Sequence, residues 1–339
     1  MSSDASLANY RTIIIFSVPD KTVVAVFLSL KQFNEVKKSV IELEDLEQMS
    51  PIFRGERGRR FARLFMKVFA IDQVNALYGR SCQHFGADFA GSILEDLGVN
   101  YVVGNADRLS ALKDGPFITV SNHPYGGIDG IMLVDLMAEI RPDYKLMANQ
   151  ILSLVKSMEE NFISVKPKVG NQSLKPTVNI NGIRETITHL RNGHPIGFFP
   201  AGAVSMFKFK HMQVRDREWQ ESILKLIHSA KVPILPIRFF DKNSPLFYFL
   251  ELIDWRIRLI QMPRELFNKK GKRTRLGIGN IISVEEQAQF DTPHSLGKHL
   301  QNLIYTMPLP STFQRKADIP ILQEIKKNNI VIASSDTTI

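Results

Sequence analysis

At 339 residues, 44% of them hydrophobic and 23% charged, the chain is long enough to bury a substantial core, as one large domain or two small ones. A single cysteine, Cys82, excludes an intrachain disulfide and any cysteine-rich metal site, and fits a reducing compartment. The net charge of +9 points to an anionic partner without choosing among nucleic acid, membrane surface and acidic substrate.

The first 44 residues hold two apolar, β-branched stretches, 12–18 and 22–30, split by Pro19-Asp20. They read as a hairpin or as a strand and a helix. Such runs fall short of the roughly 20 residues a spanning helix needs. Asp4, with no basic segment before an apolar one, gives no signal peptide, so any encounter with a membrane is expected at its surface. An acidic stretch from Glu42 to Met49 leads to Pro51, a boundary.

From Phe53 to Phe69 the residues Arg54, Arg57, Arg59, Arg60, Arg63 and Lys67 face one acid, Glu56. Phe61, Leu64, Phe65 and Val68 recur at helical spacing, so this is a basic amphipathic helix. Two readings stand: the stripe lies in a membrane interface, or it packs on the main domain beneath solvated arginines. A helix is expected to continue over 70–97 and to end at Gly98, with a strand starting at Tyr101.

Pro116 to Val120 reads as a buried strand. It runs into the turn Ser121-Asn122-His123-Pro124-Tyr125-Gly126-Gly127-Ile128-Asp129-Gly130 and then a helix. A strand at 144–147, a helix at 151–162 and a strand at 162–165 follow. Beyond the polar loop 170–177, Ile180, Ile183, Ile187 and Leu190 line a helix that stops at Asn192-Gly193. The strand 195–199 delivers a second turn, Phe199-Pro200-Ala201-Gly202-Ala203-Val204-Ser205, closely followed by Lys208, Lys210, His211 and Arg215. A helix is expected at 219–227. The next strand, 232–239, carries two prolines, which strand starts and edges tolerate.

Residues 246–267 crowd Phe247, Tyr248, Phe249, Leu250, Leu252 and Trp255 together, and 256–275 hold eight Lys/Arg against Glu265. This interleaving suits a surface that dips into lipid, or a buried helix followed by a solvated basic loop. A strand at 276–282, a helix from Thr292-Pro293 to Met307 and a disordered end at 333–339 complete the expectation. Strands alternating with helices predict an α/β fold with a mostly parallel central sheet flanked by helices.

The chemistry sits at carboxyl ends of strands, where α/β folds bind ligands. His123 in a Gly/Pro turn, with Asp129 six positions on in the first turn of a helix, makes a general base and the group that orients it. Backbone N–H groups near Gly126, Gly127 or Gly202 are the candidate oxyanion donors. No RNP, zinc-finger or helix-turn-helix signature supports a nucleic-acid partner, and nothing in the sequence fixes an oligomeric state.

The order of blocks, NHPYGGIDG, FISVKPKV, FPAGAVS and VPILPIRF, resembles the PlsC-like glycerolipid acyltransferase superfamily, in particular its bacterial haemolysin-like branch. The resemblance covers about residues 45–307. It implies an acyltransferase domain at 51–310, with an N-terminal extension at 1–50 and a C-terminal tail at 311–339. It also implies acyl transfer from an acyl carrier protein or coenzyme A thioester to a lipid hydroxyl, with membrane lipid as partner and neither cofactor nor metal. The protein is then expected as a peripheral one on the cytoplasmic face of the inner membrane. His123 and Asp129 take the catalytic positions, one residue further apart than in the family's usual block. Asn122, Gly126, Gly127, Lys166, Phe199, Pro200, Gly202, Ser205 and Lys208 take substrate-binding ones. Ala201, Ala203 and Val204 stand where the FPEGTRS block has Glu, Thr and Arg, the residues thought to hold a glycerol phosphate. Acceptors without that phosphate, such as lyso-ornithine or lyso-glycine lipids, fit better, unless Lys208, Lys210 or Arg215 supplies the lost charge. The depleted block also fits a lipid-binding pseudoenzyme.

Overall fold

The computed structural model describes residues 38–149, 152, 155–165 and 177–335. The stretches 12–18 and 22–30, Lys166 and the polar loop after it lie outside the described residues. An eight-stranded sheet runs in the order β10-β1-β9-β8-β2-β5-β3-β4. Its strands are β1 (Asn100–Gly104), β2 (Ile118–Ser121), β3 (Lys145–Asn149), β4 (Phe162–Val165), β5 (Ile196–Phe198), β8 (Ile234–Phe239), β9 (Arg273–Ile278) and β10 (Phe313–Arg315). β8, β2, β5, β3 and β4 form one continuous parallel block. β9 pairs antiparallel to β8, β1 parallel to β9, and β10 antiparallel to β1. A separate hairpin joins β6 (Met206–Lys208) to β7 (Gln213–Arg215).

β2 is buried at every position, the pattern of a parallel strand covered on both faces. One face carries the helices Gly86–Asp96 and Gly127–Ile140, and its core joins Phe89, Ile93, Met132 and Leu136. The other carries Thr177–Arg191, Glu221–Ala230 and Pro293–Thr306, with Leu190, Leu224, Ile227 and Leu300 in its core.

Several expected elements are redrawn. The helix expected over 70–97 is two, Ile71–Ser81 and Gly86–Asp96, broken where Gly86 takes a positive φ of 59°. Gly98 does cap the second: Gly98 N–H donates to Glu95 O and Val99 N–H to Leu94 O. Among the described residues of the stretch 151–162, expected as a helix, a 3-10 helix forms at Lys156–Asn161, stopped where Phe162 enters β4.

Pro236 lies inside β8, a central strand, not at an edge. Its carbonyl accepts from Gly279 on the β9 side, so its missing N–H faces the same way. There the β9 chain carries one extra residue, since Ile237 pairs with Ile278 and Ile234 with Ile282. This is a bulge, a position where a strand proline costs no ladder bond.

The expected tail, 311–339, is in part integral to the sheet. β10 is its edge strand, and Ile319, Ile321 and Leu322 are buried in the core. Lys316 binds Asp135 at 2.6 Å and also pairs with Glu139, both on helix Gly127–Ile140. The helix Pro320–Ser335 runs into the stretch expected as disordered. At the other end, residues 38–50 belong to the same compact unit as the sheet.

The basic helix forms at Gly55–Val68 and buries Gly58, Ala62 and Met66. A Cβ on Gly58 would lie 2.5 Å from the backbone of Phe53, so close approach selects small residues for the buried face. Phe61, Leu64 and Val68 are left about half exposed. Phe65, the fourth member of the stripe, packs with Phe53, Met66 and Ile71, and Phe61 stacks on Phe53 with ring centroids 5.7 Å apart, so the stripe is partly packed and partly exposed.

Candidate active site

Three neighbouring parallel strands, β8, β2 and β5, deliver Phe239, Asn122-His123 and Phe199 to the same end of the sheet. His123 Nδ1 lies 3.0 Å from Asp129 Oδ2. The Asp129 side chain is fully buried and that of His123 is 16% exposed. A carboxylate oxygen accepts, so Nδ1 carries the proton and Nε2 keeps its lone pair. Among the described residues no group bonds Nε2. Asp129 Oδ2 also accepts from the N–H of Tyr125 at 3.1 Å, which fixes the carboxylate against the turn. Phe199 stacks on the imidazole, with ring centroids 4.0 Å apart and planes at 27°.

The turn owes its shape to glycine. Gly126 has φ 90° and ψ −97°, a region open to glycine alone. A Cβ there would sit 1.8 Å from Met262 Cε. Met262 opens the short helix Met262–Phe267, which lies over the turn. A Cβ on Gly127 would meet Leu266 of that helix at 3.4 Å. Ser244 N–H donates to Glu265 Oε2 at 3.1 Å and its Oγ to Glu265 Oε1, tying the helix down, and Glu265 pairs with buried Lys269 at 3.1 Å, whose ammonium lies 5.2 Å over the Tyr125 ring. Burial lowers the pKa of Lys269, and Glu265 opposes that shift. Burial raises the Tyr125 and Tyr248 phenols, keeping both as donors. Tyr248 OH donates to Pro124 O and Asn243 Nδ2 to Tyr125 O, each at 3.2 Å.

The second turn is joined to the first through backbone. Ser205 N–H donates to His123 O at 2.8 Å. Ser205 Oγ donates to Asp216 Oδ1 at 2.6 Å, Trp219 Nε1 to Asp216 Oδ2 at 3.2 Å, and Asp216 N–H to Tyr305 OH at 2.6 Å. The N–H of His123 points at the same Asp216 carboxylate, 3.3 Å away. Burial raises the Asp216 pKa, against the lowering effect of the Ser205, Trp219 and His123 donors.

The sequence-derived residues divide accordingly. His123, Asp129, Gly126, Gly127, Phe199, Pro200, Gly202 and Ser205 lie in the two turns. Asn122 does not offer its amide to a ligand: Nδ2 donates to Phe239 O at 2.9 Å and Oδ1 accepts from Phe239 N–H at 2.8 Å. Gly202 is not a free oxyanion donor, because its N–H donates to Phe199 O at 2.8 Å; its φ of 61° places it against Gln220. Lys208 lies on β6, half-buried, and Lys166 lies outside the described residues.

Of the cations expected to replace the missing arginine, Lys208 lies near enough to Glu251 to oppose the rise that burial gives the pKa of that carboxylate. Arg215 stacks over Tyr305 at 4.4 Å, and Lys210 is exposed. A cation not foreseen, Arg258, is buried, pairs with Glu251 at 2.9 Å and donates to Ser205 O at 3.3 Å. Ala201 is fully buried in the core and Val204 packs with Phe247 and Tyr248. The positions of the usual Glu and Arg are thus filled with hydrocarbon. Asp216, Asn243, Arg258 and Tyr305 were all missed from the sequence, where none sits in a motif.

Residues 60–297 match the model of the acyltransferase family. The chain belongs to that family. As an acyltransferase it has two similar relatives, each a lyso-glycine lipid O-acyltransferase. The one from Bacteroides thetaiotaomicron is 24% identical over 249 residues, 71% of this chain and 87% of the relative. The one from Phocaeicola vulgatus is 23% identical over 278 residues, 79% and 96% respectively. Among solved structures the acyltransferase resembles the 1-acyl-sn-glycerophosphate (LPA) acyltransferase PlsC from Thermotoga maritima, with a TM-score of 0.39 and 16% identity over 71% of this chain and 90% of that one. Among the described residues no helix is long and apolar enough to cross a membrane.

Proposed function

We propose that this acyltransferase moves a fatty acyl group from a thioester, of acyl carrier protein or coenzyme A, to the hydroxyl of a lyso-lipid. We take the acceptor to be an amino-acid lipid of the lyso-glycine kind, met at the cytoplasmic face of the inner membrane by a peripheral protein. The reading is carried by the 3.0 Å contact of His123 Nδ1 with the buried Asp129 carboxylate, which leaves Nε2 as a base beside the strand ends. Nε2 takes the proton of the lipid hydroxyl as its oxygen attacks the thioester carbonyl. The carbon–oxygen bond forms, and the carbonyl π pair moves to the oxygen. N–H groups at the start of helix Gly127–Ile140 stabilise that charge. The tetrahedral intermediate collapses, the carbon–sulfur bond breaks, and the departing thiolate takes the proton from the imidazolium. Asp129 holds the tautomer and stabilises the imidazolium between these steps. The acceptor oxygen is the nucleophile, so no acyl-enzyme forms.

A carboxylate-bearing acceptor is supported by the two relatives and by the apolar side chains that stand where a glycerol phosphate would need Glu and Arg. The purified protein, given an acyl thioester and a panel of lyso-lipids, is expected to acylate lyso-glycine lipid and to leave lysophosphatidate unused. Thioester release with lysophosphatidate alone would overturn the acceptor. Lipid binding with no release on any acceptor would favour the pseudoenzyme.

A further inference from the structure

The helix Pro245–Ile253 is apolar on every side except at Glu251. Its inward arc is Phe247, Tyr248 and Glu251; the first two are buried and the third is turned in to pair with Arg258. Its outward arc is Leu246, Phe249, Leu252 and Ile253, each 57–61% exposed. A helix that is apolar all round is ordinarily enclosed or in lipid. The neighbouring β6–β7 hairpin adds Phe209 and Met212, 63% and 73% exposed, near its tip. The two elements share one groove of about 260 Å³, to which Phe207, Phe209 and Val214 of the hairpin and Pro245, Phe249 and Leu252 of the helix contribute. Phe209, Phe249 and Leu252 meet at this groove, and Leu246, Ile253 and Met212 are exposed on the same two elements, a concentration of apolar surface that marks an interaction site.

Cations stand at the margin of the patch, while Glu251 is turned inward to Arg258. Lys210 and His211 are exposed at the hairpin tip, Lys208 is half-buried on β6, and Lys242 lines the groove. An apolar centre with lysines at its margin is complementary to a bilayer, whose acyl region takes the centre and whose anionic headgroups take the margin. Asn243 and Tyr248, which face this groove, are the residues that bond the backbone of Pro124 and Tyr125. The patch is therefore built onto the turn that carries His123.

We infer that the outward arc of helix Pro245–Ile253 and the tip of the β6–β7 hairpin together form the face by which this protein docks on an anionic lipid bilayer. This deepens the proposed function, because docking there presents the turn of His123 to a lipid held in the bilayer.

The test is co-sedimentation of the full chain with phosphatidylcholine vesicles, with and without phosphatidylglycerol. The variants are Phe249→Ser with Leu252→Ser, Phe209→Ser with Met212→Ser, and Leu309→Ser as an exposed apolar control on a different element. Thermal unfolding is measured for each. Wild type is expected to bind phosphatidylglycerol vesicles and to release them as salt is raised. Each double variant should lose about tenfold or more in partitioning while unfolding as wild type does, since each removes two side chains able to enter the acyl boundary. Leu309→Ser should change nothing. No vesicle binding by wild type, unchanged binding by both double variants, or an equal loss in Leu309→Ser would overturn the inference. So would intact vesicle binding together with lost binding of an acyl carrier protein, which would make the patch a protein interface. Transfer to a short-chain, water-soluble acceptor separates the two readings. If wild type shows none while the double variants still lose vesicle binding, the catalytic proposal fails and the docking face stands.

Discussion

Replacing Asp129 by Asn tests the imidazole–carboxylate pair with almost no change of volume. Asp129 Oδ2 accepts from two donors at once, His123 Nδ1–H at 3.0 Å and Tyr125 N–H at 3.1 Å. Its Oδ1 is buried with no partner among the described residues. Asn has two ways to sit. With its oxygen toward the donors, both bonds survive, but the amide N–H₂ is buried at the Oδ1 position without an acceptor, at a cost of about 1–3 kcal/mol. With the amide reversed, N–H₂ faces the Tyr125 N–H and forces the ring proton to Nε2, the tautomer that cannot act as base. Neither orientation offers a charge to stabilise the imidazolium. The expected loss in kcat is on the order of 10²–10⁴, or about 3–5 kcal/mol in the barrier. Continuous thiol release from the acyl thioester, run below the unfolding transition of the variant, reads this directly. A kcat within about threefold of wild type would refute the assignment of Asp129.

Other outcomes follow from the same contacts. Asn122→Ala strips the N–H and carbonyl of buried Phe239 of their partners, so a loss of about 2–4 kcal/mol in denaturant unfolding is expected; an unchanged midpoint would return Asn122 to the substrate. Ala201→Glu buries a carboxylate in a fully enclosed apolar position, at ~3 kcal/mol or more. It should lower the melting temperature by several degrees without conferring use of a phosphate acceptor, and gain of lysophosphatidate acylation would contradict this. Asp216 has its pKa raised above 3.8 by burial. The folded state therefore holds that proton more tightly than the unfolded chain does. The stabilisation is fully present below the ordinary value and is lost as pH rises through the folded one. Asp216→Asn cannot titrate, so wild type should gain stability relative to the variant as pH falls from about 7 to about 4; parallel melting curves would show that Asp216 does not titrate in that range.

Local signals in the sequence were strong where local physics decides. Apolar runs mark β2 and β5 because these strands are covered on both faces, and Gly98 marks a helix end because only a positive φ closes it there. The His123–Asp129 pair was legible because both residues lie in a single strand–turn–helix unit. Residues that act across the chain left no such trace. Asp216 joins Ser205, Trp219 and Tyr305, the last 89 positions away, and Asn243 reaches Tyr125 across 118. Asn122 is expected at the substrate, and a motif position does not reveal that its amide spans to Phe239. The periodicity of the basic helix Gly55–Val68 leaves two readings open, because it does not show the close backbone approach at Gly58 that sets part of the buried face. β10 was unreadable as a strand: three residues at an edge carry too few alternations to distinguish them from a tail.

The central claim is that the imidazole of His123 takes the hydroxyl proton. Its most direct measurement is the acyl-transfer rate of His123→Ala with a lyso-lipid acceptor, product lipid being quantified by mass spectrometry on protein of verified wild-type fold. The account predicts a fall of at least about 10²-fold. Transfer within a few-fold of wild type would contradict it.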